Sequence, residues 1–126
     1  MLDQSDPRHF HTRPWGHFQT PAFLPGVGSM KLLTLNPEHR LSLQRHKARV
    51  EHWVALSGSV VAEVDDTEVF LSRGQHIQVP CGSWHRLRND SKEEVALVAE
   101  VQVSAYETAR LAEDDIERRQ DDYGRS

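Results

Sequence analysis

The chain has 126 residues, of which 37% are apolar and 27% charged, values that suit one soluble domain around one core. Its formal net charge is -4 and it has no long Lys/Arg block, so it lacks the basic footprint that nucleic acid or an anionic membrane surface requires. The opening "MLDQSDPRHFHTRPWG" has no signal-peptide core, no run approaches the roughly 18 apolar residues of a membrane span, and Cys81 has no partner for a disulfide, which together predict a cytoplasmic protein. In chain order, residues 1–12 are polar and read as an N-terminal arm, followed by a single domain over 13–126. From Ser29 to Val103 short strand-like runs alternate with turn residues. "SMKLLTLN" stops at Pro37, "RLSLQRH" follows, and "EHWVALSG" stops at Gly58. "SVVAEV" stops at Asp65-Asp66, "EVFLSRG" at Gly74, and "QHIQVPCG" at Pro80 and Gly82. "WHRLRND" and "EVALVAEVQV" complete a pattern that predicts an all-β sandwich or barrel. Only "YETARLAEDDIERRQDD" has helix-like composition, and it reads either as a helix or as a turn and tail.

Eight histidines are many for this length and hint at metal or proton chemistry. Gln44 and His46 are two apart on a predicted strand, so their side chains leave the same face, with Leu41, Leu43 and Arg45 on the other. After the turn "KARV", Glu51 and Trp53 share a face while His52 and Val54 point away. His85 follows the tight "PCG" corner. One amide oxygen, two imidazoles and one carboxylate suit one divalent ion, with zinc first and manganese, iron, nickel or cobalt also compatible. The alternative reading is ordinary surface or hydrogen-bonded histidines with an incidental Gln.

The spacing is also that of a known family. "GQHIQVPCGSWHRLRN", with Gly74, Pro80, Gly82, His85 and Asn89, resembles the second motif of the cupin superfamily. Gln44, His46, Glu51 and Gly58 resemble the first, with Gln in place of its usual first His and Glu38 in place of its initial Gly. "RPWG", "LSLQRHKARVEHW", "PCGSWHRLRN", "EVQ" and "EDDIERRQDDYGR" extend the likeness to the cupin of type II mannose-6-phosphate isomerases, commonly the C-terminal part of a fusion with a mannose-1-phosphate guanylyltransferase. The resemblance runs from Arg13 to Arg125 and implies a double-stranded β-helix (a jelly-roll barrel) with a short C-terminal tail. The nucleotidyltransferase part has no counterpart here, so a stand-alone isomerase-type cupin is implied. One departure is the link "VSAYETARLAEDDI", longer than the family's and without its Gly.

The resemblance implies interconversion of mannose 6-phosphate and fructose 6-phosphate through an enediol, which needs a base, an electrophile and a phosphate clamp. Strand alternation puts Glu100 and Gln102 on one face with Ala96 and Val98, making Glu100 the candidate base; its alternative role is an ion pair with an Arg. Arg13, Arg49, Arg86 and Arg118 compete for the phosphate. Arg13 and Arg49 come first: Arg49 reads as a turn residue at the mouth of the site, and Arg86 alternates outward from His85. Trp53 is expected in the pocket wall and Cys81 as turn filler. Two other readings are a non-catalytic sugar- or sugar-phosphate-binding cupin and a metal-dependent dioxygenase. Val54 and Leu56 would be apolar on the outside of the barrel, which predicts a cover, either the arm or a second subunit in a homodimer.

Overall fold

A computed structural model describes residues 10–105 and 115–122. Every regular element among them is a strand: β1 (His11–Arg13), β2 (Gly16–Leu24), β3 (Gly28–Leu35), β4 (His39–Arg40), β5 (Leu43–Arg45), β6 (Arg49–Ser57), β7 (Ser59–Val64), β8 (Thr67–Ser72), β9 (His76–Val79), β10 (His85–Asn89), β11 (Ala96–Ser104) and β12 (Glu117–Gln120). They form two antiparallel sheets, β1-β2-β3-β11-β6-β9 and β12-β5-β10-β7-β8, with β4 on β10. The all-β expectation holds. Among the described residues no helix is long and apolar enough to cross a membrane.

The period-2 alternation decides which side chains meet between the sheets. Along β11, Ala96, Val98, Glu100 and Gln102 are buried; along β6, Arg49, Glu51, Trp53 and Ala55 are. The apolar core includes Trp15, Leu35, Trp53, Val60, Ala62, Leu87 and Val98. Beside it the polar residues His46, Arg49, Glu51, His85, Glu100 and Gln102 are buried as well. Burying a polar group without a partner costs several kcal/mol, so this concentration of buried polar groups marks the site.

Three local readings change. β1 and β2 precede the first predicted strand. β2 forms because Phe18 and Thr20 alternate inward, a signal masked by Pro14, Gly16 and Pro21 around a polar run. "RLSLQRH" is two short strands, β4 and β5, with Ser42 fully buried at the break. In the helix-like C-terminal segment, residues 106–114 lie outside the described residues, and 117–120 are a strand paired with β5. Cross-strand pairs there, including Glu117–Arg45 at 2.7 Å, override the local helix-like composition.

Two turns aim the ligands. Asp65 and Asp66 have φ of 47° and 66°, the sign pattern of a two-residue hairpin turn between β7 and β8. Asp65 also accepts the Trp84 N–H through Oδ1 (3.1 Å) and donates its own N–H to the Trp84 carbonyl (2.9 Å). The "PCG" corner donates the Gly82 N–H to the His46 carbonyl (2.9 Å), and the Cys81 thiol reaches the Lys47 carbonyl (3.1 Å). The two segments carrying His46 and His85 are therefore tied through their backbones.

Candidate metal centre

His46, Glu51 and His85 come from the end of β5, from β6 and from β10, and all three are buried. Their ligating atoms lie within 4.8 Å of one another. The Glu51 carboxylate sits between two imidazoles, Oε1 3.2 Å from His46 Nε2 and Oε2 3.5 Å from His85 Nε2. His46 Nδ1 lies 2.5 Å from the Asp115 carbonyl, and His85 Nδ1 lies 2.8 Å from the Ser83 carbonyl. A carbonyl oxygen can only accept, so each Nδ1 carries the proton and each Nε2 presents its lone pair inward. Burial, reinforced by Arg49, lowers the His46 pKa to about 4, and burial also lowers that of His85, so both rings are neutral ligands at pH 7. Burial and the neighbouring Glu100 carboxylate raise the Glu51 pKa. Burial pushes Glu100 up as well, but the Glu51 hydrogen bond, Lys31 and Arg49 outweigh it and hold Glu100 low. Two neutral imidazoles around a buried carboxylate fit a divalent cation, whose charge offsets the desolvation of Glu51.

Arg49 is not at a loop mouth. It is the first residue of β6, buried, donating Nε–H to Glu51 Oε1 (2.8 Å) with Nη2 at 2.9 Å from His46 Nε2. A cation taking the His46 lone pair must turn Nη2 away. Room exists beside it, in a cavity of about 160 Å³ that Arg49 lines with Gln44, Glu100, Arg13, Lys31 and Arg118, closed by Trp15, Phe18 and Ile116 among others. Gln44 is half-buried, its amide donating to Ser42 Oγ (3.0 Å), and its Cα is paired with that of His85. Arg13 stacks over the Phe18 ring at 4.9 Å. Arg86 does face outward, yet it is buried, its Nε 2.8 Å from Glu63 across the strand pair. It has no place at the cavity. His52 points away from Glu51, and Trp53 packs edge-on against the His85 ring at 5.5 Å.

A family model described as "Mannose-6-phosphate isomerase C-terminal" matches residues 3–121. The chain belongs to this family. Alginate biosynthesis protein AlgA of Pseudomonas aeruginosa is 40% identical over 114 residues, covering 90% of this chain and 22% of AlgA. A mannose-1-phosphate guanylyltransferase of Escherichia coli is 34% identical over 128 residues, covering 97% of this chain and 26% of that protein. The chain thus spans about a quarter of the length of these relatives. The Schizosaccharomyces pombe Cnp3 cupin domain superposes with a TM-score of 0.66 at 14% identity, over 70% of this chain and 64% of that one, which identifies the barrel as a cupin fold.

Within this isomerase-family cupin, reasoning from sequence missed Lys31. It is buried on β3, lines the cavity and places Nζ 4.5 Å from the Phe18 ring centroid. The signal was available: Ser29, Lys31, Leu33 and Leu35 occupy one alternating face, so a lysine shares the register of two core leucines. Such a cation stays buried only beside acidic partners, and Glu100 is one.

Proposed function

We propose that the protein is a metal-dependent sugar-phosphate isomerase that interconverts mannose 6-phosphate and fructose 6-phosphate. The observation carrying this reading is one cavity lined by Glu100 and the cations Arg13, Lys31, Arg49 and Arg118, in which Glu100 and Arg49 connect the lining to the buried His46–Glu51–His85 group behind it. His46, Glu51 and His85 would hold the ion, zinc first, with Gln44 at its edge; the ion would supply a Lewis acid that polarises the sugar carbonyl. The cations clamp the phosphate, Arg13 and Arg49 foremost, with guanidinium forks suited to its oxygens. Glu100, held as carboxylate, takes the proton from C2 while the C1 carbonyl oxygen gains one, giving the enediol. It then returns that proton to C1 as the C2 hydroxyl gives up its own, replacing the one taken up by the C1 oxygen, and becomes the ketone. The wall of Trp15 and Phe18 excludes water from these transfers. Relatives named for alginate and xanthan biosynthesis support a role in supplying sugar precursors to polysaccharides.

The test is a coupled assay of zinc-loaded protein with mannose 6-phosphate. Fructose 6-phosphate should form, EDTA should abolish it, and E100Q, assayed with saturating Zn2+, should lower kcat about 100-fold or more. Absence of turnover with every divalent ion tried would overturn the enzyme reading; saturable sugar-phosphate binding would then leave a non-catalytic binding cupin. We also propose that two copies pair through the outer face of the β1-β2-β3-β11-β6-β9 sheet.

A further inference from the structure

The segment 115–122 lies outside both motifs that carry the ligands, yet it touches one of them. We propose that Asp115 is the positioning residue for His46, an inference that rests on the metal-site reading above. Its carbonyl oxygen accepts His46 Nδ1–H at 2.5 Å. Its carboxylate accepts the N–H of Lys47 at 3.0 Å and of Ala48 at 2.9 Å. One residue therefore grips both the ring of the ligand and the backbone just after it. A neutral imidazole has one N–H, and if that proton moved to Nε2 no lone pair would face Glu51. The Asp115 carbonyl prevents this.

His85 is held differently. Its Nδ1 partner is the carbonyl of Ser83, two residues earlier, so its orientation is local. His46 depends on a residue 69 positions away. The segment that brings Asp115 there is anchored by the β12–β5 pairing and by the Arg40–Asp122 and Arg45–Glu117 pairs. It also contributes Ile116 and Arg118 to the cavity. Closing the cavity and orienting His46 are thus one docking event. By reciprocity, metal binding should strengthen that docking.

Zn2+ titrations by calorimetry into wild type and D115A test this, with circular dichroism as the control for folding. D115A keeps the backbone carbonyl but loses the carboxylate that anchors it to the Lys47 and Ala48 N–H groups, so the carbonyl is no longer held against His46 and Zn2+ should bind about 10-fold more weakly. D115N should recover part of that loss, because its amide oxygen can still accept one of the two N–H groups. E68A removes only an exposed ion pair on β8, away from this segment, and should stay within about twofold of wild type. A second readout needs no metal. Imidazole 15N shifts should place the His46 proton on Nδ1 in wild type and show a tautomer mixture in D115A, with His85 unchanged. D115A with wild-type Zn2+ affinity and an unchanged His46 tautomer would overturn the proposal. Should D115A fail to fold, D115N carries both measurements. A wild-type chain that binds no Zn2+ would sink the metal reading, while the shift comparison would still decide whether Asp115 holds His46.

Discussion

Arg49 donates to two atoms that a metal would need, Glu51 Oε1 and His46 Nε2. Charge-assisted hydrogen bonds of this kind contribute about 1.5–3 kcal/mol each, so the guanidinium competes with the ion. Its positive charge opposes a second cation as well. R49M should therefore tighten Zn2+ binding by about tenfold or more while weakening sugar-phosphate affinity, since the same side chain faces the cavity. Calorimetry with Zn2+ and then with mannose 6-phosphate separates the two signs; a fall in both affinities would show that Arg49 supports the ligands instead of competing with them. The set His46, Glu51 and His85 was legible in sequence because its donor types suit one ion and its spacing resembles the two cupin motifs, while strand alternation alone orients only the residues within each motif. The position of Arg49 was not, because "KARV" between polar residues looks like a turn when its pairing with Ser104 is out of view. Lys31 was overlooked for a related reason: its cost of burial is met by Glu100, almost seventy residues later in the chain.

At the scale of elements, the "RPWG" stretch is a backbone requirement before it is anything chemical. Gly16 begins β2 at φ 151°, and a Cβ there would lie 1.9 Å from the Thr34 carbonyl oxygen on β3. The neighbouring atom is backbone, so one strand must move. That contact sets Trp15 in the core and Arg13 at the cavity. G16A should cost about 3 kcal/mol, read as a lowered midpoint in urea denaturation; an unchanged midpoint would mean that β2 shifts freely. Apart from β4 and β5, which read as one strand, the elements from β3 to β11 were readable because their apolar runs are bounded by Gly, Pro or Asp pairs. β1 and β12 were not, because their pairing partners, and not their own composition, make them strands, and in β2 the inward alternation of Phe18 and Thr20 is masked by Pro14, Gly16 and Pro21. They are also the elements that bring Arg13, Trp15, Phe18 and Arg118 to or beside the cavity, so the missed strands and the uncertain clamp residues have the same cause.

The whole molecule has two unlike outer faces. On the β12-β5-β10-β7-β8 sheet, Arg86 and Arg88 pair with Glu63, and Arg88 also reaches Glu68 and Asp90. On the other sheet, the outward positions of β2, β3, β11, β6 and β9 hold no Asp, Glu, Lys or Arg. Met30, Leu32, Ala99, Val101 and Val54 form its centre, with His52, His76 and Gln78 toward one side. Met30 and Val103 are about two-fifths exposed, at 40% and 43%. A chain of net charge -4 repels its own copy wherever its acids are presented, and this face presents none. Five strands about 4.8 Å apart and some seven residues long, at ~3.3 Å each, give a flat footprint on the order of 500 Å², which is smaller than the roughly 800 Å² of accessible surface that each partner gives to a standard interface and fits a small one. Back-to-back pairing across a twofold axis would cover it with its own match and leave both cavities open. Light scattering at micromolar concentration should therefore read twice the 14.4 kDa chain mass. M30K places two like charges in the shared face and should give the monomer mass, with Zn2+ affinity unchanged because Met30 faces away from the site. A monomeric wild type would remove the dimer, and a dimeric M30K would move the interface to another surface.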